Sequence, residues 1–223
     1  MNSRTSHTRR AALLARRVLI WLCGMVVLAF GIVLCSRCGL GVTPITTIPY
    51  SLARCLPLSF GTLTSLHHLA NVIVQYVLEK RLWNPRILLQ LPECVIFGML
   101  VDVVDALIGW APTHLAVQVA LMVGSIVLIA TGTFLMVGMD LIANPPDSCV
   151  HLISELVHGD MGVVKRTYDI TMVAITLVID LVVYNDFYGL GIASIVSMFG
   201  VGWLLTQLNR LFGRQIDALR NAS

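Results

Sequence analysis

Charge is what this sequence has least of. Only 12% of its 223 residues are Asp, Glu, Lys or Arg, about half the roughly 25% share of a soluble globular domain. That scarcity excludes an ordinary water-soluble fold of this length. Short segments of alternating hydrophobicity are also missing, which excludes a membrane β-barrel. Nucleotide fingerprints are missing too: no Gly-rich loop ends in Gly-Lys-Ser/Thr and no Gly-x-Gly-x-x-Gly is present, so ATP-driven work would need a partner chain. Ser194 follows Gly191-Ile192-Ala193, not the Gly-x-Ser-x-Gly of a nucleophile elbow. His151-x-x-x-Glu155-x-x-His158 places three ligand types on one helix face but not in the His-Glu-x-x-His order of a zinc protease. Cys35-Ser36-Arg37-Cys38 has half-site spacing for metal or redox chemistry, yet no second pair with matched spacing completes it. The expectation is a non-enzyme with no catalytic residues, no cofactor and no resident metal.

What is present is apolar. Hydrophobic residues make up 57% of the chain and the mean hydropathy is +0.85. They fall into runs of about 20 residues, the length that crosses a bilayer as a helix. The expected fold class is all-α: a polytopic helical membrane protein whose first partner is the lipid bilayer. The net charge of +3 then reflects topology and gives no reason to invoke nucleic acid, because the basic residues cluster at span ends and at the N-terminus.

The spans read in order as Val18 to Cys35, Gly61 to Leu78, Glu93 to Trp110, His114 to Met139, Gly162 to Tyr184 and Gly189 to Leu211. The first is long for a signal peptide and lacks a small-residue cleavage site, so it is expected to remain uncleaved. Residues 1–17 form a basic cytoplasmic N-terminus with Arg4, Arg9, Arg10, Arg16 and Arg17, and residues 212–223 a cytoplasmic tail. Lys80, Arg81, Arg86, Lys165 and Arg166 share that side, whereas the turns at 111–114 and 185–188 carry no Lys or Arg. This asymmetry places both termini in the cytoplasm. Arg37 and Arg54 fall on the opposite side and count against the scheme.

The chain also repeats itself. Gly31, Leu34, Leu40, Pro44 and Gly61 recur as Gly132, Leu135, Leu141, Pro145 and Gly162; 132 − 31, 145 − 44 and 162 − 61 all give 101. Phe97-Gly98 returns as Phe199-Gly200, one residue out of step. A fixed period marks duplicated structure, here a first membrane repeat over 18–110 and a second over 111–211. Each contains a segment broken by proline, 43–60 and 144–161, that is expected to be re-entrant or interfacial, because exposed backbone is not tolerated in lipid. With three full spans per repeat the halves are inverted. If the broken segments crossed fully, each half would have four spans and the repeats would be parallel. Loop charge favours six spans over eight.

Polar residues within the spans nominate a substrate or ion site. Asp102, with Asp105 on the same helix face, and His67 with Asn71 at i, i+4 are the leading group. Thr43, Pro44, Asn144 and Asp147 join it, because half-helices starting at the prolines would aim backbone N–H groups inward. Structural alternatives stand beside these: an interhelical hydrogen bond for Asp102, a local ion pair of Lys165 with Asp169, an interfacial position for Asp180, and a solvated face for His151, Glu155 and His158. The function expected is a permease-like carrier of a small, unidentified solute, with a non-transporting scaffold or regulatory subunit as the alternative. Asp102→Asn is expected to abolish uptake in a folded protein if Asp102 binds solute or coupling ion. The small-residue face Gly191, Ser194, Ser197, Gly200 and Gly202 suits close helix packing, and a homo-oligomer stands among the expected partners.

One family pattern matches. The first span leads into Gly39-Leu40-Gly41-Val42-Thr43-Pro44; Ser59-Phe60-Gly61 opens a span containing Asn71; Phe97-Gly98-Met99-Leu100-Val101-Asp102 lies in the third. Over residues 18–210 the chain resembles the YczE/YyaS/YitT-like bacterial membrane proteins. Gly41 and Pro44 fit that family's Gly-x-x-Pro stretch, and Gly98 and Asp102 its Gly-x-x-x-Asp element. Arg86-Ile87-Leu88-Leu89 stands where the family often has Gly-Thr. The resemblance implies a bacterial inner-membrane location and a helical architecture; the family has no established biochemical activity to carry over.

Overall fold

The computed structural model describes residues 2–80 and 84–221, with side chains described for 11–80 and 84–220. The side chains of Arg4, Arg9 and Arg10, and all of Arg81, lie outside the described residues. Among the described residues every regular element is helical. Helix α1 (Asn2–Arg37) is followed by one 3₁₀ turn (Pro44–Thr46), α2 (Thr47–Cys55), α3 (Phe60–Glu79), α4 (Pro85–Leu88) and α5 (Gln90–Ile108). Then come α6 (Leu115–Met139), α7 (Pro145–Leu156), α8 (Met161–Tyr184) and α9 (Ile192–Asn221).

The boundaries follow local chemistry. Pro44, Pro85 and Pro145 open elements at the position where a missing N–H costs nothing. Ser59 and Asp160 cap α3 and α8 by accepting from the Thr62 and Val163 N–H groups. Lys80, Asp140 and Asn185 terminate α3, α6 and α8 in the left-handed conformation.

Five helical segments are long and apolar enough to cross a membrane: Ala11–Arg37, Pro85–Ile108, Leu115–Met139, Met161–Tyr184 and Ile192–Arg220. The chain is therefore a helical, multi-pass membrane protein. Helix α3 is long enough at 20 residues but is diluted by His67, His68, Asn71 and Gln75. Two expected boundaries move. The basic N-terminus is helical and continuous with the first span, and α9 runs ten residues past Leu211, so most of the expected tail is helix. In both, the amphipathic polar turns simply extend a helix already nucleated by its apolar part.

Helices α1 and α6 form the axis of the molecule. They run antiparallel: Gly31 lies against Ile129, Leu28 against Gly132, and Gly24 against Met136. A Cβ on Gly132 would sit 2.6 Å from the Leu28 nitrogen and one on Gly31 2.8 Å from the Ile129 nitrogen, so these glycines set the closeness of the crossing. Around the pair is packed a buried cluster including Trp21, Met25, Phe97, Phe134 and Met139. Arg17 and Trp21 donate to the carbonyls of Met139 and Ile142 at 2.6 and 2.8 Å, closing the carboxyl end of α6. Helix α5 packs on α1 and α9 on α6, and α3 pairs with α5. Half of the α1 span is buried inside the protein, against 17% for α8 and for α9, so the last two helices present most of their surface outward.

Both broken segments are mostly helical. One is a 3₁₀ turn plus nine helical residues, the other a helix of 12. At 1.5 Å per residue the longer is about 18 Å, too short to cross roughly 30 Å of hydrocarbon. They occupy opposite ends of the α1/α6 pair, and both are packed in. Helix α2 lies between α3 and α8, and α7 likewise between α3 and α8.

Candidate functional site

At the end where α1 stops, the backbone is closed. The Val42 N–H donates to Gly189 O at 3.1 Å and the Ala193 N–H to Leu40 O at 2.9 Å. This pairing brings Gly41 onto Gly191, where a Cβ at Gly41 would lie 2.6 Å from the Gly191 nitrogen; Gly41 also has φ +104°. Only glycine meets both demands. Asp180, fully buried in α8, accepts from the Tyr188 and Gly189 N–H groups at 3.0 and 3.3 Å and from the Ser51 hydroxyl. Thr176 donates to Thr47 at 2.8 Å, and the Tyr184 hydroxyl to Ser51 O at 2.7 Å. Tyr50 stacks on Tyr188 at 5.2 Å, and the Arg54 guanidinium lies 4.2 Å from the Tyr188 centroid. Arg37 pairs with Asp105 at 2.7 Å. The two arginines that sit awkwardly in the charge pattern are thus both engaged at this end.

The end where α6 stops carries a cavity instead. It has a volume of about 460 Å³ and opens between α3, α4, α7 and the segment Asp140–Ala143. Gln75 and Gln90 lie along it, joined amide to amide at 3.0 Å, and Gln75 also donates to Pro145 O at 3.1 Å. Four carboxylates line it, those of Glu79, Asp140, Asp147 and Glu155, against one guanidinium, Arg86.

Further along α5 from this amide pair, one turn past Gln90, is Glu93, 1% exposed, with neither carboxylate oxygen hydrogen-bonded among the described residues. His68, 2% exposed, stacks on Phe97 at 5.1 Å, and its Nδ1 also has no partner. Ligand atoms of His68, Glu93 and Cys94 all lie within 4.8 Å of one another. Groups this polar are not left unpaired in a core without a reason.

The residues nominated by sequence divide between several places. His67 and Asn71 do meet, at 3.3 Å, and Tyr168 joins them by donating to Asn71 Oδ1 at 2.7 Å. Asp102 does not join that group: it accepts from the Ser59 hydroxyl at 2.6 Å and the Gly61 N–H at 2.7 Å, tying α5 to the start of α3. Asp105 shares its face but pairs with Arg37 instead. Thr43 bonds to Thr46 at 2.8 Å beside Pro44, at the closed end. Asn144 and Asp147 lie at the open end, 3.4 Å apart, with Asp147 3.6 Å from Lys165, which holds Asp169 at 3.0 Å. His151 and Glu155 form an exposed pair at 3.6 Å, while His158 lies beyond α7 with φ +49°. Cys35 and Cys38 are buried free thiols facing Gly41 O.

Glu93, Cys94, Gln75, Gln90 and Tyr168 escape the sequence reasoning. Glu93 marks the start of a span there, and Cys94 counts as a small apolar residue. The available signal was the amide-carboxylate spacing Gln90-x-x-Glu93 on one helix face, opposite Gln75 and His68, which are seven residues apart and likewise share a face.

Comparison with known proteins narrows the family and not the activity. No curated protein and no solved structure matches the chain significantly. A family model described as a family of unknown function matches residues 15–210, nearly the whole chain. On that match, the chain belongs to the DUF6198 family.

Proposed function

We propose that this protein is a membrane carrier for a small solute, built from two inverted three-span repeats, with α3 as the sixth crossing and both termini in the cytoplasm. The observation that carries the proposal is the contrast between the two broken segments. Each packs against helices of both halves; one end is shut by backbone pairing, and the other borders a cavity floored by buried polar side chains. Carriers with inverted repeats move a solute by exchanging which end is open.

Several features support the inverted relationship. The elements starting at Pro44 and Phe60 have counterparts at Pro145 and Met161, each 101 residues on. Repeat-related helices α1 and α6 are antiparallel, and their contacts are reciprocal: Gly31 meets Ile129, and Gly132 meets Leu28, the residue 101 positions before Ile129. Such exchange of partners is what a two-fold axis produces. Helix α3 can cross despite its polarity because His68, Asn71 and Gln75 face the interior. The resemblance to YczE-like inner-membrane proteins agrees with this architecture and location.

The test uses single cysteines at Thr46 and Ser148 in a cysteine-free background, labelled by a membrane-impermeant thiol reagent in vesicles of each orientation. A carrier gives labelling at each position that rises and falls as the two ends exchange, and that changes with solute. A scaffold or regulatory subunit gives labelling from one fixed side, insensitive to any solute.

A further inference from the structure

We infer that His68, Glu93 and Cys94 form a binding site for a divalent transition-metal ion of the zinc or cobalt type. As a binding site this stands on its own geometry; as the identity of the transported solute it rests on the carrier proposal.

The three side chains come from two helices held in register. Helices α3 and α5 are tied at one end by Asp102, which accepts from Gly61 N, and along their length by Ser65, which donates to Cys94 O at 2.8 Å. Phe97 fixes the His68 ring by stacking. The donor atoms fall within 4.8 Å of one another. Two ligands on a tetrahedral ion stand about 3.5 Å apart, given bonds of 2.0–2.3 Å, and rotation of the side chains spans that difference. Both Glu93 oxygens and His68 Nδ1 are buried without hydrogen-bond partners among the described residues. A cation supplies what the carboxylate and the imidazole both lack.

The donor set selects the ion. One imidazole nitrogen, one carboxylate oxygen and one sulfur make a borderline-soft site; magnesium and calcium take oxygen ligands almost alone. Cys94 binds as thiolate, so its proton is released on metal entry. Three protein ligands leave a fourth position open, which suits an ion that must also leave. The approach fits a cation as well. The carboxylates of the cavity mouth raise the local cation concentration, and the Gln75–Gln90 pair lies between that mouth and Glu93.

The experiment is a titration of the full-length purified chain in detergent with Co²⁺, read by absorption. Expected are tetrahedral d–d bands and a thiolate-to-cobalt charge-transfer band saturating at one ion per chain. Cys94→Ser should remove the charge-transfer band while d–d absorption persists, and Glu93→Gln should weaken binding at least tenfold, with helical circular dichroism unchanged in both. Absence of saturable binding in the wild type overturns the site. So does a charge-transfer band that survives Cys94→Ser and disappears in Cys35→Ser or Cys38→Ser. Cobalt binding without cobalt uptake into proteoliposomes supports the site and counts against a metal-ion carrier; loss of the site leaves a carrier of some other solute standing.

Discussion

At the end of α1, Gly41 and Gly191 let two backbones close to hydrogen-bonding distance. At the end of α6, Ile142 occupies the position 101 residues beyond Gly41, and Gln90 stands 101 residues before Gly191. Both side chains line the cavity of about 460 Å³. The carboxylates at the two ends differ as well: Asp180 is buried and Glu79 partly exposed. Asp180 gathers three donors at the closed end, whereas Glu79, beside the cavity, accepts from Asn84 at 2.8 Å. The two ends thus differ in what stands at the point of closest approach: glycine against glycine at one, Ile142 and Gln90 beside a cavity at the other.

The comparison can be broken at the closed end. Gly41→Val forces a β-branched residue into φ +104° and into the Gly191 backbone. Strain and collision together are expected to cost roughly 3–5 kcal/mol, seen as a lower unfolding midpoint in detergent and new thiol access at Thr46→Cys. Asp180→Ala leaves the Ser51 hydroxyl and two backbone N–H groups without their acceptor, for an expected loss of about 2–3 kcal/mol and the same gain in access. At the open end, Gln90→Leu takes the Gln90 donor from Gln75 Oε1, while the Gln75 amide still donates to Pro145 O. It should cost about 1–2 kcal/mol and leave labelling at Thr46→Cys as in the parent. Asp102→Asn keeps one oxygen acceptor for Gly61 or Ser59, so a loss of about 1 kcal/mol is expected, measured by the same unfolding assay; the effect on uptake should follow the folded fraction. The smallest change is Arg54→Ala, about 0.5–1 kcal/mol from the lost guanidinium–ring contact, measured as a small shift in the same assay.

The membrane class and most element boundaries were legible because they depend on local properties. Runs of apolar residues, N-terminal prolines and capping Ser59 and Asp160 act within a few positions of themselves. The pairing of Lys165 with Asp169 was legible for the same reason. What joins distant stretches was not. Nothing near Asp102 in sequence announces that it caps a helix starting 42 residues earlier, at Phe60. The burial of Glu93 depends on α3 and α7 arriving from elsewhere. That its oxygens find no partner among the described residues is visible only in three dimensions. The Gly41–Gly191 contact shows the limit from the other side: glycine at 41 signals a turn, and only the fold reveals that it meets a second glycine 150 residues away.

The most direct measurement is a pair of distance distributions from spin labels in lipid nanodiscs. One pair, Leu58→Cys with Phe187→Cys, spans the closed end; the other, Leu88→Cys with Val157→Cys, spans the cavity; all four positions are exposed. An exchanging carrier gives two populations for each pair, with the short distance at one end growing as the long distance at the other end grows, and Zn²⁺ shifting the ratio. A single unchanging distance at both ends, with and without Zn²⁺, would contradict alternating access and leave a static helical bundle.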